Sequence, residues 1–116
     1  MSRLASSFKF AFNGLRLAWR EQTNLRIHLV LSILVLSAAR ILRLPQIEWV
    51  VLLLCIGLVI SLELVNSAIE SLVDMISPEW KKEAGKIKDM AAASVLVASI
   101  VAAIVGLLIF GSHLFS

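Results

Sequence analysis

Residues 47–65 decide the fold, and they read IEWVVLLLCIGLVISLELV. Within this apolar run the charged or hydroxyl residues are Glu48, Ser61 and Glu63. A run of roughly 20 predominantly apolar residues is the length that an α-helix needs to cross the hydrocarbon core of a bilayer. Glu48 and Trp49 at its start are typical of an anchor at the membrane interface. The segment therefore predicts a membrane-spanning helix.

Two further apolar segments flank this one. We predict spans at about 25–44, 47–66 and 90–110, and Pro45 should break the helix between the first two. Three spans of roughly 20 residues occupy about half of the chain, so residues 1–116 leave room for a single membrane-embedded domain. The sequence predicts an all-α integral membrane protein with three transmembrane helices.

The composition supports the bilayer as solvent. Hydrophobic residues make up 59% of the 116 positions and the mean hydropathy is +0.93, whereas ordinary soluble domains contain roughly 45–50% apolar residues. The single cysteine, Cys55, lies in an apolar run and has no internal disulfide partner, so we interpret it as a packing residue.

Residues 3–20 form a different kind of segment. Their apolar side chains recur at helical spacing and their basic side chains occupy the other faces, which predicts a basic amphipathic helix. Phe and Trp beside Arg and Lys suit a helix that lies in the headgroup plane of anionic lipids. Packing against a partner protein is the alternative. The apolar set is Leu4, Phe8, Ala11, Phe12, Leu15, Ala18 and Trp19.

The distribution of charge predicts the orientation. Of eleven Lys and Arg, five lie in Arg3–Arg26 and four between spans two and three, whereas Arg40 and Arg43 are alone in the first loop. By the positive-inside rule the N-terminus is cytoplasmic and the C-terminus outside, in the inner membrane of a bacterium. The first long apolar run starts only after Arg26, so we expect no cleaved signal peptide. Because lipid-soluble segments separate the basic blocks, we expect no nucleic-acid partner.

A stripe of polar residues follows the second span. At about 100 degrees per residue, Glu63, Asn66, Glu70 and Asp74 fall within about 80 degrees of a helix circumference. A charge near the centre of a span costs about 2.5–3.5 kcal/mol on insertion scales, so Glu63 needs a partner or a function. The three carboxylates repel one another, which calls for a metal ion, a basic partner or a bound proton. Mg²⁺ prefers such oxygen ligands.

The lysine-rich segment supplies the opposite charge. Lys88 and Asp89 follow Asp74 by fourteen and fifteen residues and open the third span. Acidic metal ligands facing lysines at the cytoplasmic surface are the groups that phosphoryl transfer uses, with ATP as the obvious donor. Two structural alternatives stay open. In the first, the charges serve only to hydrate an interfacial helix. In the second, Asn66 forms an interhelical hydrogen bond.

Other chemistry is less supported by the residues. His28 and His113 have no neighbouring Cys or His at ligand spacing, so we assign neither to a metal. The sequence contains no Gly-rich phosphate loop, Walker motif or Ser-His-Asp pattern. A non-enzymatic membrane protein, such as a transporter subunit whose Glu63 binds protons or cations, is the rival interpretation.

The motifs now described resemble those of a known family. The run Glu63-Leu-Val-Asn66-Ser-Ala-Ile-Glu70-Ser-Leu-Val-Asp74, followed by Lys86-Ile-Lys88-Asp89-Met-Ala-Ala-Ala, closely resembles the signature of the bacterial diacylglycerol kinases, a family that includes the undecaprenol kinases. The resemblance extends through Gly14 and Asn24-Leu-Arg26-Ile-His28 and covers essentially the whole chain.

This resemblance implies a homotrimer with active sites shared between subunits. It implies that Glu63 is the general base acting on the lipid hydroxyl and that Glu70 is a ligand of the Mg²⁺ that accompanies ATP. Ala92 is one of the small residues that open the third span, which allow close helix approach or room for a lipid headgroup. The residues implied to surround the nucleotide are Asn66, Asp74, Glu79, Trp80, Lys81, Lys88 and Asp89, with Arg3 and Phe10 matching more loosely.

The chain departs from the family pattern at two places. The family usually has a second metal-binding Glu two residues before the position of Asn24, where this chain has Gln22, with Glu21 adjacent. Either Glu21 reaches the metal, or Gln22 binds it through its carbonyl or a water. Lys81 also stands where a His is often found. The Asn24-to-His28 element resembles the undecaprenol branch more than the diacylglycerol branch, which favours undecaprenol as the acceptor.

Overall fold

The computed structural model describes residues 2–115, and this part of the chain folds into four α-helices. They are α1 (Arg3–Glu21), α2 (Thr23–Ile41), α3 (Gln46–Ile76) and α4 (Lys82–Leu114). The predicted all-α class is confirmed. Helices α2, α3 and α4 are long and apolar enough to cross a membrane, which agrees with the three predicted spans.

Helices α3 and α4 are longer than the apolar runs that predicted them. They contain 31 and 33 residues, or roughly 46 and 50 Å at about 1.5 Å per residue, against a hydrocarbon core about 30 Å thick. Helix α3 continues past residue 66 and ends at Ile76, because Pro78 disfavours the helical conformation of Ser77. Helix α4 begins at Lys82, eight residues before its predicted span. The polar ends of both helices therefore project beyond the apolar layer as one helical hairpin.

Helix α1 is joined to α2 through a single extended residue. Gln22 has φ −109° and ψ 104°, and its N–H donates to the carbonyl of Ala18. At the other end, the Ser2 hydroxyl accepts a hydrogen bond from the Ala5 N–H at 3.1 Å, which caps the helix. No residue of α1 is buried, and Phe8, Phe10 and other apolar side chains are exposed. The amphipathic surface position of this helix stays a prediction.

The turn between α2 and α3 is a Schellman motif. Arg43 adopts the left-handed conformation, with φ 54°, and the Leu44 N–H donates to the Ala39 carbonyl at 3.1 Å. Ala39 and Leu44 then pack with Leu52 in a buried cluster. Pro45 precedes the first residue of α3. Helix α2 therefore ends at Ile41, three residues before the predicted end of the first span.

One face of α3 makes the core, and its most extensive contact is with α4. Helix α4 contributes Ala91, Val95 and Ala98, and such small side chains allow close approach of helices in membranes. The buried positions of α3 repeat at heptad-like spacing, and three of the six are polar: Leu52, Val59, Glu63, Asn66, Ser67 and Val73. The packing face of α3 therefore becomes polar at Glu63, where the predicted site begins.

We expect Arg43→Gly to stabilise the protein by about 0.5–1 kcal/mol. The left-handed conformation costs an L-residue about 1–2 kcal/mol, and glycine avoids this cost. Glycine in turn loses about 0.5–1 kcal/mol of stability, because it has more conformational freedom in the unfolded state. The measurement is the denaturant midpoint in detergent micelles. Arg43→Ala is the matched control, since it removes the same charge but keeps the strain, and its midpoint should match the wild type. Equal midpoints for all three proteins would contradict this account of the turn.

Candidate active site

Glu63 is a carboxylate inside the helix bundle. It is 3% exposed and lies on the packing face of α3. The Nε2 atom of His28, on α2, lies 3.8 Å from its Oε2 atom. Among residues 2–115, no other basic side chain comes within the 4 Å limit of an ion pair with Glu63. Glu63, whose charge is costly to insert into a membrane, is thus buried beside the imidazole of His28.

Asn66 and Glu70 continue this face by one further turn each. The Asn66 Nδ2 group donates to Glu70 Oε1 at 3.3 Å, and the Asn66 Oδ1 atom is buried without a hydrogen-bond partner. The hydrogen bond runs along α3 instead of between helices. It leaves the Asn66 oxygen and the second oxygen of Glu70 for another group. Such oxygens, with water and phosphate oxygens, are the ligands that Mg²⁺ takes, so these two residues fit a metal in chemical type.

A cavity of about 330 Å³ lies where α3 ends and α4 begins. The Lys88 ammonium group pairs across it with Asp74. Asp74 lies two residues before the end of α3 and Lys88 six residues after the start of α4, so the hairpin brings both side chains close to the loop. The residues of the predicted nucleotide shell that line this cavity are Asp74, Glu79, Trp80, Lys81, Lys88 and Asp89.

The loop between the two helices shapes this cavity. The Ser77 hydroxyl donates to the Glu79 carbonyl at 3.0 Å, and the Gly85 N–H donates to the Lys81 carbonyl at 2.9 Å. The indole Nε1 atom of Trp80 lies close to Gly85, 3.5 Å from where a Cβ atom would stand. Trp80 itself is 83% exposed. An exposed indole at the mouth of a cavity that contains lysines offers a flat surface next to positive charge.

The other predicted nucleotide residues lie elsewhere in a single chain. Asn66 is not part of the cavity lining, and Arg3 and Phe10 are exposed on α1 and do not line it either. Ala92, the weak lipid candidate, is exposed on α4 next to buried Ala91. The fold therefore assembles the lysine and loop part of the predicted site but does not bring α1 to it.

A second cavity, of about 530 Å³, separates α1 from α3. Glu21 and Gln22 line it, as do small residues of both helices such as Gly14 and Ser67, but Glu70 does not. Within the described residues, no three His, Cys, Asp or Glu side chains come close enough together to hold a metal ion. Glu70 lines neither this cavity nor the hairpin cavity, and the predicted metal site stays a prediction.

Sequence reasoning missed two features of the site. It gave no role to Ser77 and Gly85, which line the cavity at the hairpin loop, although the Ser-Pro pair at 77–78 indicated the end of a helix. It also set His28 aside after rejecting it as a metal ligand, and did not anticipate its contact with Glu63. The available signal was the spacing of His28 from Leu25, which is typical of the inner face of a helix.

Comparison with known proteins matches most of the chain to a single family. Residues 9–110 match the family described as prokaryotic diacylglycerol kinase. The chain belongs to the prokaryotic diacylglycerol kinase family. It is accordingly a lipid kinase, and with three apolar helices it is a membrane protein. The motifs on α3 and at the start of α4 therefore lie within the matched region, as do Glu21, Gln22 and His28.

Individual relatives fall in two groups by name. A diacylglycerol kinase of Synechocystis is 44% identical to this chain. The similarity covers 89% of this chain and 59% of the relative, so the chain spans about three fifths of that relative's length. An undecaprenol kinase of Bacillus subtilis is 37% identical over 95% of this chain and 89% of its own. A diacylglycerol kinase of Escherichia coli K12 is 36% identical over 97% of this chain and 92% of that relative's length. The acceptor lipid therefore differs among proteins that are about equally similar.

The Asp74–Lys88 pair should contribute little to folding. Its side chains are 62% and 38% exposed, and exposed ion pairs are usually worth about 0–1 kcal/mol. We therefore expect Asp74→Asn to change the free energy of unfolding in micelles by less than about 1 kcal/mol. A loss several times larger would mean that the pair holds the hairpin together, and would contradict its assignment to a binding cavity.

Proposed function

We propose that the protein transfers the γ-phosphoryl group of ATP, with Mg²⁺, to the hydroxyl group of a membrane lipid. One observation supports this most: a single face of α3 leads from a buried carboxylate, Glu63, to a cavity lined by Lys81 and Lys88. From Glu63 to Asp74 the helix rises by about 16 Å. A lipid alcohol in the membrane and a nucleotide at its surface would thus meet along one helix.

Glu63 is proposed to act on the acceptor. A general base must lie within hydrogen-bond reach of the proton that it takes, and the site must keep water from competing for the phosphoryl group. Glu63 meets the second requirement through its 3% exposure. As the lipid oxygen bonds to the γ-phosphorus, the bond from phosphorus to the leaving oxygen of ADP breaks and the hydroxyl proton passes to Glu63. Ala92 would leave space for the headgroup of the acceptor.

The hairpin cavity is proposed to hold the nucleotide. Lys81 and Lys88 would offset the charge of the phosphates, and Trp80 would stack on the base. Because Lys88 already pairs with Asp74, phosphate binding would exchange one anionic partner for another at little cost. Glu79 and Asp89 complete the lining, and Asn66, Arg3 and Phe10 are proposed as further contacts.

The metal is proposed to bind at Glu70, together with Glu21 or Gln22. When bound, Mg²⁺ would neutralise the charge that develops on the transferred phosphoryl group. Glu70 and the free oxygen of Asn66 are of the right chemical type, whereas Glu21 and Gln22 line the cavity between α1 and α3, which Glu70 does not line. A homotrimer with sites formed between subunits would unite them, and such an assembly would also cover some of the exposed apolar surface of α2, α3 and α4.

The acceptor is proposed to be undecaprenol or diacylglycerol, with undecaprenol favoured. Both are alcohols presented at the interface, so the catalytic groups do not separate them. The preference rests on the Asn24-to-His28 element alone, since the relatives named for the two lipids are about equally similar. We propose the inner membrane of a bacterium as the location, with the N-terminus and the hairpin loop on the cytoplasmic side.

The experiment is phosphoryl transfer by the purified protein in mixed micelles with γ-labelled ATP and Mg²⁺. Undecaprenol and diacylglycerol are supplied separately, and the labelled lipid is extracted and measured. We expect labelled lipid phosphate with at least one acceptor, no product in EDTA, and a higher kcat/KM with undecaprenol. No transfer to either lipid, together with proton or cation flux in vesicles, would favour the transporter interpretation.

Glu63→Gln should reduce turnover by about 10²–10⁴-fold, which is the usual contribution of a general base. The side chain keeps its size, so the variant should remain folded. Glu48→Gln is the matched control, because Glu48 also lies on α3 and also contacts a histidine, His113, but at the opposite end of the helix. Wild-type turnover in Glu63→Gln would refute its role as base.

Glu70→Ala should raise the Mg²⁺ concentration needed for half-maximal turnover, because a carboxylate ligand of the metal is lost. The measurement is a Mg²⁺ titration at saturating ATP and lipid. Glu83→Ala, in the first turn of α4, removes an acidic residue that is outside the proposed site, and its titration curve should match that of the wild type. An unchanged Mg²⁺ requirement in Glu70→Ala would argue against the ligand assignment.

A further inference from the structure

Within the described part of the chain, residues 2–115, His28 is the one basic side chain within ion-pair distance of Glu63, and the proposed function gives it no role. We propose that His28 is a positioning residue that holds the Glu63 carboxylate in the orientation needed to take a proton from the acceptor alcohol. This inference rests on the proposed lipid kinase function. It begins from the position of the imidazole, 3.8 Å from Glu63 Oε2 and 23% exposed.

The first argument is the face of α2 on which His28 lies. The residues of α2 that are buried or half-buried at alternating spacings of three and four are Leu25, His28, Ser32, Val35 and Ala39. This spacing marks the stripe by which a helix packs against its neighbours. Leu25 and Ala39 are almost completely buried on it. His28 therefore points into the bundle rather than toward lipid, at a position where an apolar side chain would ordinarily pack.

The second argument is the need of Glu63 for a donor. A buried carboxylate is costly unless it is hydrogen-bonded or paired. Within residues 2–115, Glu63 accepts no hydrogen bond, and His28 is its only basic neighbour. The backbone around His28 is held in place, since its carbonyl accepts a 2.7 Å hydrogen bond from the Ser32 hydroxyl. The helix thus presents one donor to one acceptor.

The distance between His28 Nε2 and Glu63 Oε2 is longer than a hydrogen bond, as in many active sites without substrate. Contacts between a catalytic base and the group that orients it are often long without substrate and shorten in the reactive complex. Shortening 3.8 Å to about 2.8 Å needs only a small rotation of two side chains. The imidazole N–H would then donate to Oε2, which leaves Oε1 for the lipid hydroxyl. His28 would touch neither the phosphates nor the proton that moves.

The test compares three variants in the phosphoryl transfer assay. His28→Leu removes the donor and should lower kcat about 10–100-fold, as loss of an orienting partner does, while KM for MgATP and for lipid stays within about twofold. His28→Gln keeps an N–H donor and should recover most of kcat. His113→Leu breaks the analogous contact with Glu48 at the far end of the bundle, 2.7 Å long, and should leave kcat near the wild-type value.

A double-mutant cycle separates positioning from a purely structural role. If His28 acts through Glu63, then His28→Leu should cause no further loss in the residual turnover of Glu63→Gln. If His28 only stabilises the bundle, the losses multiply and His28→Gln rescues nothing. Should His28→Leu fail to fold, His28→Gln and His28→Ala are compared instead. A higher kcat for Gln than for Ala supports the inference and equal values overturn it.

Failure of the positioning role and failure of the proposed lipid kinase function give different results. An active wild type with unchanged kcat in His28→Leu and His28→Ala would overturn the positioning role alone. A wild type that transfers no phosphate to either lipid would overturn the lipid kinase proposal and this inference with it.

Discussion

The burial of a carboxylate on the packing face of α3 is the constraint on which the rest of the structure depends. Glu63 occupies a position of the kind that Leu52 and Val59 fill about three turns and about one turn before it, yet it is a charged side chain, 3% exposed. Its neighbours on α2 and α4 must therefore tolerate or satisfy that charge. The sequence keeps a residue that insertion into the membrane disfavours, which is understandable only if the site uses it.

The length of α3 connects the buried carboxylate to the hairpin cavity. Because the helix continues to Ile76, beyond the apolar layer, the same rigid element that buries Glu63 also carries Asp74 to the hairpin cavity. Asn66 and Glu70 lie between them and are hydrogen-bonded to each other. In the proposed function, this one helix would align a lipid group with a water-soluble donor.

Much of this could be predicted from sequence, and the failures have physical reasons. Hydropathy located three helices, and the 3.6-residue period placed Glu63, Asn66, Glu70 and Asp74 on one face. Helices α3 and α4 are longer than the predicted spans because apolar runs report the membrane thickness and not the length of a helix. The Glu63–His28 contact joins α2 to α3, so no local pattern contains it. The proposed metal site combines Glu70 of α3 with Glu21 or Gln22 at the end of α1, so no pattern within one helix contains it.

The most direct test of the central claim is chemical modification of Glu63 by a hydrophobic carbodiimide, which reacts with carboxyl groups in apolar surroundings, mapped by mass spectrometry of the protein in micelles. The account predicts that loss of phosphoryl transfer follows the extent of labelling at Glu63. It also predicts that the acceptor lipid protects this residue. Full labelling of Glu63 in a protein that still transfers phosphate would contradict the account.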